Sequence, residues 1–474
     1  MDAERRIAEL EAKLAEREQE KAELRARVQE LEAQVSQLLE VLKRNSGNSS
    51  LPPSSDSPAA RSERNARRHG GKGIKRRRGG QPKHRGARRE LVPAERVDDV
   101  VHFFPSHCEG CSAALDKTPD PHPKRYQTTE LPAFEPHTTE YQRHRVTCSR
   151  CRHATLAPFD ASRIPASPFG PRLMSVAALL TGVYHMSRRK AAQLLSDIVG
   201  VKLSLGAVSN IEARVSSALE APVHEAWQRV AKAPVKHTDG TSWLQCGVAL
   251  SLWVIASAVA TVYKIVANGR RETIAPLFGE PKGIMVSDRA TALNFWSMEN
   301  RQICWAHLLR KFVSFSERDG PAGRFGRDLL DYTGIMFDYW HDHRAGHLSR
   351  EQLRTRLVPV RAQLEALLER ASTSKFESLS GSCANILEHR AALWTFVDTV
   401  DVEPTNNHAE RELRGFVMWR KKSYGTQSER GNQFAERVMT VAHTARKQKK
   451  DVLELITACC VARLDGTEPP SLFA

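Results

Sequence analysis

The sequence predicts a multidomain α+β protein: an N-terminal coiled coil, a small domain built around paired cysteines, a helical region resembling a helix-turn-helix, and an α/β core with a helical insertion. Three observations predict it. Apolar residues recur in sevens over residues 1–43. Two Cys-x-x-Cys pairs fall within residues 91–160. From Val235 onward, short runs rich in β-branched residues alternate with helical stretches. The 474 residues allow about three domains. The formal net charge of +16 favours a polyanionic partner, either nucleic acid or an acidic membrane face.

In residues 1–43, Ile7, Leu14, Val28, Val35 and Leu42 share one heptad position, and Leu10, Leu24, Leu31 and Leu38 share the other. Arg17 and Lys21 interrupt the seam. Charged flanks without Gly or Pro read as a coiled coil, and hence as a homo-oligomer. A long helix folded back on its own chain is the alternative. Residues 44–90 read as a basic linker. RNSGNSSLPPSSDSP, from Arg44, ends the helix with Gly, Pro, Asn and Ser. Arg61 to Arg89 holds a single acid, Glu63, and includes Arg76, Arg77 and Arg78. So one-signed a segment cannot bury a core. It is expected to be disordered alone and to add sequence-blind, salt-dependent contacts to DNA phosphates.

There are nine cysteines. The first residues lack the basic-then-apolar layout of a secretory signal. No apolar run of about 18 residues appears, so no membrane span is expected. A reducing cytosolic compartment is expected, and cysteines there are read first as metal ligands or core residues. In residues 91–160, CEGC supplies Cys108 and Cys111, and CSRC supplies Cys148 and Cys151. Four thiolates fill a tetrahedral zinc shell and leave no open position, so one structural zinc is expected. Two unrelated pairs or a redox site are the alternatives, and His107 and His153 could substitute as ligands.

Residues 161–232 read as helical. A helix from about Ser187 to Val199 ends at Gly200, and Ser204 caps a second, SLGAVSNIEARVSSAL. Arg188, Arg189 and Lys190 at one mouth suit DNA docking, as in a helix-turn-helix. An ordinary helical hairpin is the alternative.

Residues 233–445 form the α/β core. VKHTDGTSW reads as a short strand ending at Asp239, and Val248 to Val266 as a buried hairpin. A helix is expected near Glu272 to Phe278. GIMVSD is a short strand delivering Asp288. A helix is expected around Ala290 to Met298, and QICWAHLLRKF then reads as a strand running into a helix. This order resembles a ribonuclease-H-like fold, in which the first and fourth strands are neighbours. TNNHAERELRG places Glu410 on a helix opened by Thr405, Asn406 and Asn407. Glu412 lies about 200° around that helix, on another face. Asp401 and Glu403 are weaker candidates. Residues from about 316 to 400 read as a helical insertion, and residues 446–474 as a C-terminal helical segment. Converging carboxylates suit a pair of magnesium or manganese ions clamping a phosphodiester, with Asp239 as the shared ligand and Asp288 holding one ion. Arg411 and Arg414 follow Glu410, and Trp419, Arg420, Lys421, Lys422 and Tyr424 interleave basic and aromatic groups suited to a DNA backbone and a splayed base.

Together RNSGNSSLPPSSD, RRRGGQPKHRG, the cysteine pairs, FGPRLMSVAALLTGVYHMSRRKAAQLLSDIVGVKLSLGAVSNI, HTDGTSW, SDRATALNFW, CWAHLLRKF and PTNNHAERELR resemble transposases of the insertion-sequence-66 family. They run through nearly the whole chain. The resemblance implies a DDE transposase with a ribonuclease-H-like core and the triad Asp239, Asp288 and Glu410. It implies recognition of terminal inverted repeats, cleavage at the element's ends, strand transfer into target DNA, work in the bacterial cytosol at the nucleoid, and room for accessory proteins of the same element. By similarity, Cys304 and His307 belong to a signature beside the active site. One departure is Gly240, where the family often carries an acid. The competing readings are a catalytically inactive zinc-containing DNA-binding protein derived from a transposase, and a ribonuclease-H-like nuclease acting on ordinary duplexes or hybrids.

Overall fold

A computed structural model describes residues 2–49, 56–62, 90–158, 164–165 and 167–474. Arg76, Arg77 and Arg78 lie outside the described residues. The chain divides into two compact units: Met1–Arg64 with Thr138–Ala474, and Asn65–His137.

Helix α1 spans Asp2–Lys43 without a break. Its described heptad residues, Leu14, Leu24, Val28, Leu31, Val35, Leu38 and Leu42, are all exposed. An apolar seam left in water costs free energy that burial would recover. Each cysteine pair sits on its own tight turn. The N–H of Cys108 donates to Ala113 O, and that of Ser112 to Cys108 O. The second turn joins β1 (Arg145–Thr147) to β2 (Ala154–Leu156) and repeats the pattern: Cys148 donates to His153 O, and Arg152 to Cys148 O. Ser112 and Arg152 both take positive φ, at the same place in each turn.

The helical region opens with α2 (Pro171–Ala178), which runs into a π-helical turn, Leu179–Val183. Helix α3 (Arg188–Val199) begins at Ser187, whose side chain accepts from Lys190 N, and stops at Gly200 with φ 75°. Helix α4 (Leu205–Ala218) is capped by Ser204 through Ala207 N, and α5 (Glu220–Ala231) follows. The caps fall where the sequence placed them.

The central sheet has five strands in the order β5-β4-β3-β6-β7. They are β3 (Val235–Gln245), β4 (Val248–Ala256), β5 (Thr261–Val266), β6 (Ile284–Ser287) and β7 (Arg301–Ile303). Strands β3, β4 and β5 form an antiparallel meander, and β6 pairs parallel with β3. The first and fourth strands of the core are therefore neighbours. Helix α6 (Arg271–Phe278) links β5 to β6. After the sheet come α7 (Trp305–Ser316), α8 (Gly320–Arg344), α9 (Arg350–Ser372), α10 (Glu377–Glu388), the single turn α11 (Thr395–Asp398), α12 (Asn407–Ser423), α13 (Glu429–Lys447) and α14 (Val452–Asp465).

Successive residues of a strand face opposite sides. Met285 of β6 joins a core shared with α2, α4, α5, α12, α13 and α14, whereas Val286 joins one shared with α7 to α10. The helices inserted after β7 thus bury one side of the sheet. The insertion returns to the sheet through Trp305 Nε1 donating to Leu393 O (2.8 Å) and Phe396 N donating to Gln302 Oε1 (2.8 Å). At the other edge, β5 would expose a row of N–H groups. Helix α13 satisfies them. Thr261, Tyr263 and Ile265 donate to Thr444, Thr440 and Glu436, one helical turn apart, at 3.1, 3.2 and 2.7 Å.

One element differs from expectation. Residues 290–298 form no α-helix but a 3-10 turn, Thr291–Leu293, and a second one begins at Met298. The Asp288 carboxylate accepts Ala290 N (2.9 Å), and Trp296 is buried with Nε1 donating to Gly283 O (3.1 Å). These tertiary ties override a weak local preference.

Candidate active site

Sheet register brings the first two acids together. His237 pairs with Val286 across parallel β3 and β6. Asp239 and Asp288 each lie two residues further along. Cys304 N donates to Ser287 O (2.8 Å), so the start of α7 sits beside them. The third acid arrives on α12. Asn406 precedes that helix, but its side chain makes no capping bond. It reaches the sheet instead: Nδ2 donates to Thr238 O (2.7 Å) and Oδ1 accepts from His237 Nδ1 (3.2 Å). Its own N–H donates to Cys304 Sγ (3.1 Å), and its carbonyl accepts Glu410 N (3.2 Å). One fully buried residue therefore ties β3, through its side chain, and Cys304 at the start of α7, through its N–H, to the helix of Glu410. The far end of α12 is pinned too. Gly425, at φ 98°, lets Thr426 N reach Leu244 O (2.9 Å), and a Cβ there would meet Leu244 O at 2.0 Å.

Asp239 feels the other two acids. The Asp239 carboxyl is raised to about 7 by burial first, then by the charges of Asp288 and Glu410. The Gly240 N–H and Arg310 act against that rise. Arg310 lies 3.6 Å from Glu410 Oε1, and His307 Nδ1 lies 3.9 Å from the same oxygen. Burial and the charge of Arg310 lower His307, so its ring is neutral near pH 7. Burial pushes the Cys304 thiol up to about 11. The Asp288 turn is buttressed from below. Buried Arg301 donates to Ser287 Oγ (3.2 Å), Asp288 O (3.1 Å) and Asn294 Oδ1 (3.1 Å). Arg289 reaches Asn385 of α10 (2.7 Å), so the insertion also holds this loop.

Behind α12 lies a second charged cluster. Glu412 Oε2 sits 2.5 Å from His443 Nδ1, and Oε1 sits 3.1 Å from Lys447 Nζ. Tyr263 Oη donates to Glu412 O (2.9 Å). Burial raises the Glu412 carboxyl, yet hydrogen bonds from His408 and His443 and the charge of Lys447 outweigh it and hold the group well below the usual carboxylate range. His408 stacks on His237 at 4.8 Å between centroids, which connects this cluster to Asn406. His237 itself is lowered to about 4 by burial and by His408, so it is neutral and donates from Nδ1.

The structure does not gather every candidate. Glu403 pairs with Arg344 (3.5 Å), and Asp401 takes a positive φ in the turn before α12. Arg188 is engaged by Glu212 (2.6 Å), whereas Arg189 and Lys190 are exposed. Arg411, Arg414, Lys421 and Lys422 are exposed, while Arg420 donates to Thr241 Oγ1 (3.1 Å) on β3. Trp419 is core, stacked on Phe416 at 5.9 Å, so only Tyr424 of that pair is open to a base. Gly240 pairs with Trp253, whose indole would sit 3.0 Å from an added Cβ, so the acid often found there would crowd it. Within each cysteine turn, backbone N–H groups lower one thiol: Gly110 and Cys111 act on Cys108, and Cys151 and Arg150 on Cys148.

Residues 166–434 match the profile of the Transposase IS66 family, which is more than half of the chain, and the chain belongs to that family. The match includes Asp239, Asp288, Cys304, His307 and Glu410. Residues 2–90 match a family of unknown function (DUF6444). No curated protein matches the chain. Family membership points to DNA transposition. No helix among the described residues is long and apolar enough to cross a membrane.

Asn406→Ala is expected to lower the unfolding free energy by about 2–6 kcal/mol, because two buried partners lose their hydrogen bonds at roughly 1–3 kcal/mol each. Chemical denaturation of the full chain measures this. An unchanged midpoint would show that Asn406 holds nothing.

Proposed function

We propose that this protein is a DDE-type DNA transposase with a ribonuclease-H-like core, in which Asp239, Asp288 and Glu410 hold two magnesium or manganese ions. The observation that carries the reading is electrostatic. Burial first, and then the charges of Asp288 at the end of β6 and Glu410 on α12, raise the proton affinity of Asp239 on β3, while the Gly240 N–H and Arg310 oppose the rise. Oxygen donors of this kind suit hard divalent cations. Glu410 Oε1 is also buried without a hydrogen-bond partner among the described residues. Bound ions would sharpen a water or 3′-hydroxyl as nucleophile and stabilise the leaving oxygen. Arg310, beside Glu410, is placed to contact a phosphate once the carboxylate charge is otherwise neutralised. Arg189, Lys190, Arg411, Arg414, Lys421 and Lys422 supply phosphate contacts from exposed positions, and the basic segment with Arg76, Arg77 and Arg78 adds salt-dependent affinity.

The DNA partners in this reading are the element's terminal inverted repeats and a target duplex. The exposed seam of α1 pairs two protomers and so two element ends. A monomer by light scattering, with and without end DNA, would remove that pairing. The sequence pattern of Cys108, Cys111, Cys148 and Cys151 suits one structural zinc. The matching turns, each with N–H groups aimed at a thiol, support this. A protein purified without zinc that keeps its thermal stability would speak against it.

The test is a strand-transfer assay with magnesium on DNA carrying the element's ends, comparing wild type with Asp288→Ala. Transfer by wild type alone supports the reading. Equal activity in both removes Asp288, cleavage without preference for ends favours a general nuclease, and binding without cleavage leaves a DNA-binding protein.

A further inference from the structure

Beside the acids lies a donor set of different chemistry. Cys304 Sγ, His307 and Glu410 each offer one ligand atom, and these atoms lie within 4.8 Å of one another. Their positions follow from the fold. Cys304 precedes α7, His307 is one turn into it, and Asn406, before α12, donates its N–H to Cys304 Sγ. Cys304 is fully buried, whereas His307 and Glu410 keep a solvent-facing side, with 18% and 29% of each side chain exposed. His307 Nδ1 and Glu410 Oε1 are buried atoms without hydrogen-bond partners among the described residues. Two buried polar atoms that face one another without a hydrogen bond destabilise the site, and Arg310, 3.6 Å from Glu410 Oε1, supplies none. A shared cation would relieve both.

Sulfur, nitrogen and one carboxylate oxygen are a poor shell for magnesium and a good one for a borderline ion. We propose that Cys304, His307 and Glu410 form a site for Zn2+, separate from the cysteine turns, and that its occupancy takes Glu410 away from Asp239 and Asp288. Binding replaces the Cys304 thiol proton, which leaves to solvent, with a Zn–S bond. The Asn406 N–H already aimed at that sulfur would stabilise the thiolate formed. Three protein ligands leave a fourth position for water. Zinc then opposes the magnesium-dependent reaction because one carboxylate cannot serve both sites. This second half rests on the proposed function; the binding half does not.

The test uses the full chain carrying one zinc per protomer, titrated with Co2+ and followed by its thiolate-to-cobalt absorption. Wild type is expected to take up one further equivalent with a thiolate band. Cys304→Ala is expected to lose the band, and His307→Gln, on the more open side, to weaken binding at least about tenfold. A wild type that binds no second equivalent overturns the site, as does an unchanged band in Cys304→Ala. In a cleavage assay at fixed magnesium, zinc is expected to slow wild type and spare the residual rate of His307→Gln. Equal slowing of both overturns the regulatory half. If no preparation cleaves DNA, the proposed function fails while the cobalt titration still decides the site.

Discussion

Asp239→Asn is expected to abolish strand cleavage while making the metal-free protein more stable at pH 8. The two effects have one cause. Metal stabilisation of transition-state charge is worth several kcal/mol, so losing a shared ligand is expected to slow the chemistry by about 10³-fold or more. The stability effect follows from linkage. The Asp239 carboxyl titrates near 7 in the folded protein and near 3.8 in an unfolded chain. Between those values the folded state holds a proton that the unfolded state has lost. The group therefore opposes folding increasingly as pH rises through this window, and fully above about 7. Asparagine removes that cost. Thermal melts without divalent metal are expected to show the variant above wild type at pH 8 and level with it near pH 4. Wild type above the variant at pH 8 would mean that Asp239 is stabilised as an anion by the protein alone.

Glu412→Gln is expected to cost about 3–5 kcal/mol, the range for removing one partner of a buried charge cluster. Lys447, His443 and His408 all address this carboxylate, and the lysine would be left buried without an anion. Because the folded-state value is depressed, the stabilisation from Glu412 is present above the ordinary glutamate range near 4.5 and is lost only in strong acid. Urea unfolding at pH 7 measures the loss. A cost under about 1 kcal/mol would show that the cluster is held by packing alone. The consequence reaches the candidate site. Glu412 anchors α12 to α13, and Glu410 rides on the same helix.

Much of this site was legible in the sequence for physical reasons. Asp288 follows a short strand as read, whereas β3 runs on to Gln245 and Asp239 lies within it rather than at its end; their meeting still follows from strand order. Gly200 and Ser204 mark helix ends because their local chemistry does little else. Glu410 and Glu412 separate because the helix turns about 100° per residue. What stayed hidden depends on partners far along the chain. Asn406 reads as a cap, yet its side chain spends its hydrogen bonds on Thr238 and His237, some 168 positions away. Arg301 belongs to no motif singled out in the sequence, yet it is fully buried under the Asp288 turn. Trp419 reads as an aromatic among basic residues, yet α12 turns it into the core. Arg310 could have been found from its spacing, since it lies three residues beyond His307 and so on the same helix face.

Anomalous diffraction from Mn2+ in crystals of the full chain tests the central claim most directly. The expected result is manganese touching the carboxylates of Asp239 and Asp288, with Glu410 completing the site. Manganese bound elsewhere, with the Glu410 side chain held away from both aspartates even with end DNA present, would contradict it.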